Sequence, residues 1–186
     1  MSIFSKRPVA VLVAAVIVAG STLFGVHRSL SVVVRNTANS FYDGVYSESE
    51  GYTTRSIYSQ LDALTDASLG LVTKCDAQYP DECESLRSAR GTLLESMDSR
   101  DVSDMYDAYK ALIESYNSLH DMISGSALES DDAVSDYVST FTGAQAVISA
   151  SGYNAGVRSL ISETLEVFPA NVFSDVLGIE EPELFE

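Results

Sequence analysis

The sequence predicts an all-α protein in which an N-terminal transmembrane helix leads into an antiparallel bundle of about four helices and a short C-terminal tail. Three features carry that expectation. Pro8 to Val26, PVAVLVAAVIVAGSTLFGV, is apolar and uncharged throughout. Beyond it, apolar residues recur at alternating three- and four-residue intervals, the period of one helix face. No segment sustains the two-residue alternation of a half-buried strand, and no convincing internal repeat or Gly-rich phosphate loop is present. The expected parts are an anchor over residues 1-28, an acidic bundle over 29-169, and a tail over 170-186 that packs on the bundle.

As a helix, the uncharged run measures about 28 Å at ~1.5 Å per residue, close to the ~30 Å of a hydrocarbon core. Lys6 and Arg7 precede it, and His27 and Arg28 come after it, so both ends carry groups suited to headgroups. Two fates are open. Lys6-Arg7 resembles the n-region of a cleaved secretory signal, and Val18-Ala19-Gly20 offers small residues to a peptidase. Against cleavage, the site is a poor A-x-A and the apolar run continues through Leu23, Phe24 and Val26. Retention as a single-pass lipid-embedded anchor over residues 8-26 is the expectation.

After the anchor, Phe41, Val45 and Tyr52 keep helix-compatible intervals, with a break expected at Gly51. Ile57, Leu61, Leu64, Ser68, Leu71 and Cys75 then form one stripe of a helix from about Thr53 to Lys74. Pro80 interrupts, and Asp81 with Glu84 resembles a capping box for the next helix, to about Met97. From Asp101 the pattern restarts: Val102, Met105, Tyr109, Leu112, Tyr116, Leu119 and Ile123 make a heptad-like seam, leaving Lys110 and Glu114 exposed. Gly125 and Glu129 to Asp132 form a turn. Val134, Tyr137, Phe141, Ala144 and Ile148 continue the rhythm, which slips near Ser151-Gly152 and resumes with Tyr153, Val157, Leu160, Ile161, Thr164 and Phe168. Such a slip implies local unwinding at Gly152 or a shift of the buried stripe. Phe168 is expected to close that stripe. Pro169, which disfavours helix at the residue before it, turns the chain out, so that Val172, Phe173, Val176, Leu177 and Ile179 fold back.

Tyr153-Asn154, Phe168-Pro169, Gly178 and Phe185 lie in SGYNAGVRSLISETLEVFPANVFSDVLGIEEPELFE, and this segment together with the N-terminal anchor resembles the LemA family of bacterial membrane-anchored helical proteins. In that family a Tyr-Asn pair precedes a helix running into Phe-Pro, with a short amphipathic tail after it. The resemblance covers about the last 36 residues and the overall layout. It implies a helical bundle on one membrane anchor, with no assigned chemistry. Where the family carries a further Tyr-Asn after the anchor, this chain has Phe41-Tyr42-Asp43.

Charge narrows the function. From residue 29 onward eight Lys and Arg face 27 Asp and Glu, a net −19. Nucleic acid is excluded as a partner, because phosphate binding needs cations that displace counterions. No catalytic set is expected either: His27 and His120 are the only histidines, His27 at the membrane boundary where the anchor ends and His120 within the bundle. Glu129, Asp131 and Asp132 beside His120-Asp121 match no calcium loop, and acidic residues at a helix start ordinarily cap it. The chain is therefore read as neither an enzyme nor a cofactor or metal protein. Two functions remain: an interaction or scaffold module of the cell envelope with protein partners, or a domain that binds a peptide or small ligand in a cleft near Gly152 to Asn154. In either, Asn154 bridges backbone groups of a neighbouring helix where the phase slips, or reads a ligand.

Cys75 and Cys83 flank the Pro80 turn, near enough for a possible disulfide spanning ~4.4 to 6.8 Å between Cα atoms, with two free thiols as the other reading. A bridge would persist only outside a reducing cytoplasm. That points to an N-in anchor and an extracytoplasmic bundle.

Overall fold

The computed structural model describes residues 7-47 and 52-186. It is all-α apart from one two-residue strand pairing. Helix α1 runs Arg7–Asp43, β1 Tyr46–Ser47 pairs antiparallel with β2 Tyr52–Thr53, and α2 Ile57–Cys75, α3 Pro80–Ser99, α4 Val102–Ile123 and α5 Asp132–Ser149 come next. A 3-10 turn, Ala127–Ser130, precedes α5. Helix α6 Tyr153–Leu160 opens into a π-turn, Ile161–Leu165, and α7 Ala170–Leu177 comes last. The chain forms two compact units. One holds α1 as far as Ala38 with Gly156–Pro182; the other holds Asn39–Ala155 with Glu183–Glu186.

Within the second unit, α2 packs against α3 and α5, and α3 packs against α4. The expected faces are the buried ones. Ile57, Leu61, Leu64, Ser68, Leu71 and Cys75 are all buried, as are Met105, Leu112, Tyr116 and Leu119 on α4 and Val134, Phe141, Ala144 and Ile148 on α5. Tyr109 and Tyr137 are only half-buried, and Lys110 and Glu114 are exposed. Gly70 of α2 lies against the Tyr137 ring of α5, which a Cβ there would overlap. Tyr116 of α4 stacks on Phe141 of α5 with ring centroids 3.7 Å apart. Arg90 Nε of α3 donates to the Thr65 carbonyl of α2 at 2.9 Å.

Several boundaries differ from expectation for local reasons. The first long helix ends at Gly44, not at Gly51, which lies outside the described residues. Gly44 adopts φ +76°, where a side chain would collide with the Thr54 carbonyl, so only glycine fits. Val45 consequently sits in the turn, half exposed, bonded to Thr54 through backbone and hydroxyl. Thr53 belongs to the strand pair, and α2 starts at Ile57 with Ser56 Oγ accepting from Ser59 N–H at 3.1 Å. Asp81 does not cap α3. Pro80 is its first residue and Tyr79 its cap position, without a side-chain bond; Pro needs no N–H partner there, and Asp81 and Glu82 complement the helix dipole. Asp101 and Asp131 do cap α4 and α5.

In the first unit, Leu30 of α1 is buried with Leu160 and Leu165, and Val26, Val34, Ile161, Ala170 and Ile179 pack around them. Phe168 does not close the stripe; it is 78 % exposed. The cause is the π-turn, in which Glu166 N–H bonds to the Ile161 carbonyl five residues back. A wider turn holds an extra residue and rotates the residues beyond it off the face, so Leu165 takes the buried place. Pro169 marks the start of α7.

Candidate functional site

The sequence-derived motif falls at a junction of four segments within the second unit. Gly152, at φ +66°, ends the irregular stretch after α5 and lets Tyr153 open α6. That glycine is the site of the expected phase slip. Tyr153 is buried and Asn154 half-buried, and both face the last residues of the sequence. Asn154 Nδ2 donates to the Phe185 carbonyl at 2.8 Å, and Phe185 N–H donates to Asn154 Oδ1 at 2.8 Å. Tyr153 O–H donates to the Glu183 carbonyl at 2.7 Å. Glu183 Oε2 accepts the Val102 N–H at 3.0 Å, so this carboxylate sits on the first turn of α4, whose free N–H groups and dipole favour an anion.

The Phe185 ring is 5 % exposed and lies among Phe41, Tyr106 and Tyr109, at centroid distances of 5.5, 5.2 and 5.5 Å. Phe41, fully buried at the end of α1, meets Tyr153 edge-on at 5.4 Å. Beside Phe185 remains a cleft of about 420 Å³, walled by Ile57, Tyr106, Tyr109, Ile148, Tyr153 and Asn154. Burial pushes the Tyr153 phenol up to about 12, with Tyr42 and Glu183 adding to it, and raises Tyr109 as well. These phenols are neutral donors at physiological pH, not bases. The cleft can hold an apolar or aromatic group and offer hydroxyl and amide partners to a backbone; it has no nucleophile–base pair.

Sequence reasoning found Tyr153, Asn154 and Phe185 but not Phe41, Tyr106 or Glu183. Tyr106 lies one residue off the α4 seam, and its aromatic spacing to Tyr109 was the available signal. Phe168 and Pro169, matched to the same motif, are not part of this site. Cys75 and Cys83 are both free thiols, fully buried, so the possible disulfide is not formed. Burial first, and then Cys75, push the Cys83 thiol up to about 11. Among the described residues no group of three or more His, Cys, Asp or Glu is placed to hold a metal. Glu129 instead accepts the Gly125 N–H at 2.7 Å.

Fold and site together define a class: an all-α chain with one N-terminal helix long and apolar enough to cross a membrane, and an aromatic cleft occupied in part by its own last residues. No family model, curated protein or solved structure matches the chain.

Proposed function

We propose that the protein is a single-pass membrane-anchored binding module of the bacterial cell envelope, built as an antiparallel helical bundle. In this reading it is related to the LemA family, and the cleft at Tyr153 and Asn154 takes an extended peptide. The observation that carries it is how residues 183-186 are held. The segment Glu-Leu-Phe-Glu is gripped as a peptide ligand would be, with backbone groups of Glu183 and Phe185 met by side chains, a ring in an aromatic pocket and a carboxylate on a helix start. Side chains that bond backbone supply affinity; the ring pocket and the carboxylate seat supply selection. The matching partner is therefore a segment with an acidic residue two places before an aromatic one, which takes these seats in place of residues 183-186.

The anchor rests on α1. Its apolar window, of mean hydropathy 2.5, is unburied, unlike a core helix. The two hydroxyls of the uncharged run Pro8 to Val26, Ser21 and Thr22, each bond the Val18 carbonyl at 2.9 Å, which satisfies them without water. Flanking charge does not orient the anchor, since Lys6 and Arg7 on one side are balanced by Arg28 and Arg35 on the other, so the N-in orientation with the bundle outside the cytoplasm stands as the reading to be tested. The second reading, a scaffold without a ligand site, is favoured only if the cleft stays closed to partners.

The test is a photo-crosslinking amino acid at Ser149, on the exposed rim of the cleft, in intact cells. Recovery of a discrete protein through an acidic-x-aromatic segment is expected. Recovery of the chain itself and bulk lipid alone would remove the binding function.

A further inference from the structure

The first unit carries an apolar surface that its own fold does not cover. Phe168, Val172 and Val176 recur at four-residue intervals and are 78 %, 51 % and 72 % exposed, with Val167 beside them at 50 %. Soluble surfaces carry single exposed apolar residues freely, but a four-membered patch on one short helix and its lead-in marks a contact site. The opposite side of the same segment is committed: Ala170 and Ile179 pack on the cluster of Leu30, Leu160 and Leu165, and Phe173 and Leu177 are half-buried. Helix α7 is thus amphipathic with an apolar stripe turned outward.

Where that stripe sits identifies its occupant. The inner face of α7 rests on α1 around Val26, Leu30 and Val34. The uncharged run of α1 ends at Val26, so these contacts begin at the end of the run and extend about 12 Å along the helix at ~1.5 Å per residue. The polar interfacial layer of a bilayer occupies the first several ångströms of that distance, since the whole bilayer is ~40–45 Å thick around a ~30 Å core. Amphipathic helices bound at that level bury their apolar face ~5–10 Å into the boundary between headgroups and acyl chains. We propose that Phe168, Val172 and Val176 form a second membrane contact, seated in the interface of the leaflet where α1 emerges and covered there by lipid. This rests on the reading of α1 as an anchor. Glu163, Glu166, Asp175, Glu180 and Glu181 surround the stripe and are exposed, so the contact is with zwitterionic lipid and apolar in origin, not an attraction to anionic headgroups.

The chain contains no tryptophan, so a single introduced indole reports its own surroundings. Full-length Phe168→Trp and Val176→Trp are reconstituted in phosphatidylcholine vesicles whose acyl chains are brominated either near the headgroup or near the bilayer centre. Val16→Trp, within α1, and Leu69→Trp, exposed on α2, serve as references. The expected result is loss of emission from both stripe positions, greater with shallow bromine than with deep bromine, while Val16→Trp responds most to deep bromine and Leu69→Trp to neither. Unquenched stripe positions beside a quenched Val16→Trp would overturn the contact and leave the anchor standing. All three unquenched would remove the anchor as well. Stripe emission shielded from bromine until the protein is diluted into excess lipid would mean a second copy covers the stripe, which also overturns the proposal.

Discussion

Asn154 holds Phe185 with both halves of its amide, donating to the carbonyl and accepting from the N–H of the same residue, each at 2.8 Å. Those two residues are 31 apart in sequence, and the pairing closes the second unit through its last residues. A paired amide is selective in a way a single hydrogen bond is not. Replacement by Asp keeps the acceptor, loses the donor, and sets a charge against a carbonyl oxygen.

Asn154→Ala is therefore expected to lower unfolding free energy by about 1–3 kcal/mol, the worth of two partly buried hydrogen bonds at ~0.5–1.5 kcal/mol each. Asn154→Asp should cost at least as much. In a chain lacking residues 183-186 the same Asn154→Ala change should be nearly silent, because its partner is gone. Urea denaturation of the four proteins forms a double-mutant cycle. Additive losses would mean that Asn154 acts elsewhere.

Leu112 is fully buried on α4, in the middle of the seam. Truncation to Ala removes its methyl groups and leaves a cavity that the neighbouring helices fill only in part. A loss of about 2–5 kcal/mol is expected. Lys110→Ala, two residues away and exposed, should change stability little. Equal melting temperatures for Leu112→Ala and the parent would mean the seam has been assigned to the wrong face.

The helix faces were legible because burial imposes a period: every member of the α2 stripe and nearly every member of the α4 and α5 stripes is buried. Helix ends were legible where one side chain decides them, as at Asp101 and Asp131. They were not where tertiary contact decides. Gly44 ends α1 because the Thr54 carbonyl lies against it, a neighbour ten residues on, and Phe168 is turned outward by a π-turn that leaves no period in the sequence. Tyr153 and Asn154 stood out as a motif, yet the Tyr153 partner Glu183 could not be read, since it accepts through its backbone carbonyl and seats its carboxylate on a helix start, neither of which leaves a period in the sequence.

The Tyr116 hydroxyl is buried without a hydrogen-bond partner. Its ring stacks on Phe141, which fixes the side chain and keeps the O–H from reaching solvent. A buried unsatisfied hydroxyl costs ~1–3 kcal/mol. Tyr116→Phe keeps the ring stack and removes that cost, so it should leave stability unchanged or raise it by up to about 2 kcal/mol. Calorimetry checks this. A clear loss would mean the hydroxyl has a partner after all.

Alkaline pH should weaken the fold before acid does anything comparable through these groups. Burial pushes the Cys83 thiol up to about 11, and the Tyr116 and Tyr153 phenols up to about 12. An acid with a raised folded-state pKa binds its proton more tightly when folded. Its contribution is full below the unfolded pKa, near ~8.5 for Cys and ~10 for Tyr, and is lost as pH rises through the folded value. Urea midpoints should therefore hold level to about pH 8.5 and then fall. Tyr116→Phe should flatten the part of that fall above about pH 10. A midpoint constant from neutrality into that range would show these groups to be open to water.

The last prediction concerns the thiols and the side of the membrane. Cys75 and Cys83 are fully buried and unbridged, and burial raises both pKa values, so each holds its proton and is shielded from reagents. The nucleophile is the thiolate, which leaves both unreactive in the native protein at neutral pH. Native protein should take up no thiol reagent, and denatured protein should take up label at both cysteines without reductant. Label that appears only after reduction would establish a bridge. Because native thiols are silent, topology needs an added reporter, and Ser85 on the exposed side of α3 suits it. In intact cells producing Ser85→Cys, a membrane-impermeant maleimide should label the chain, as an N-in anchor with an outward bundle requires. Labelling that waits for lysis would put the bundle in the cytoplasm and reverse the orientation of α1.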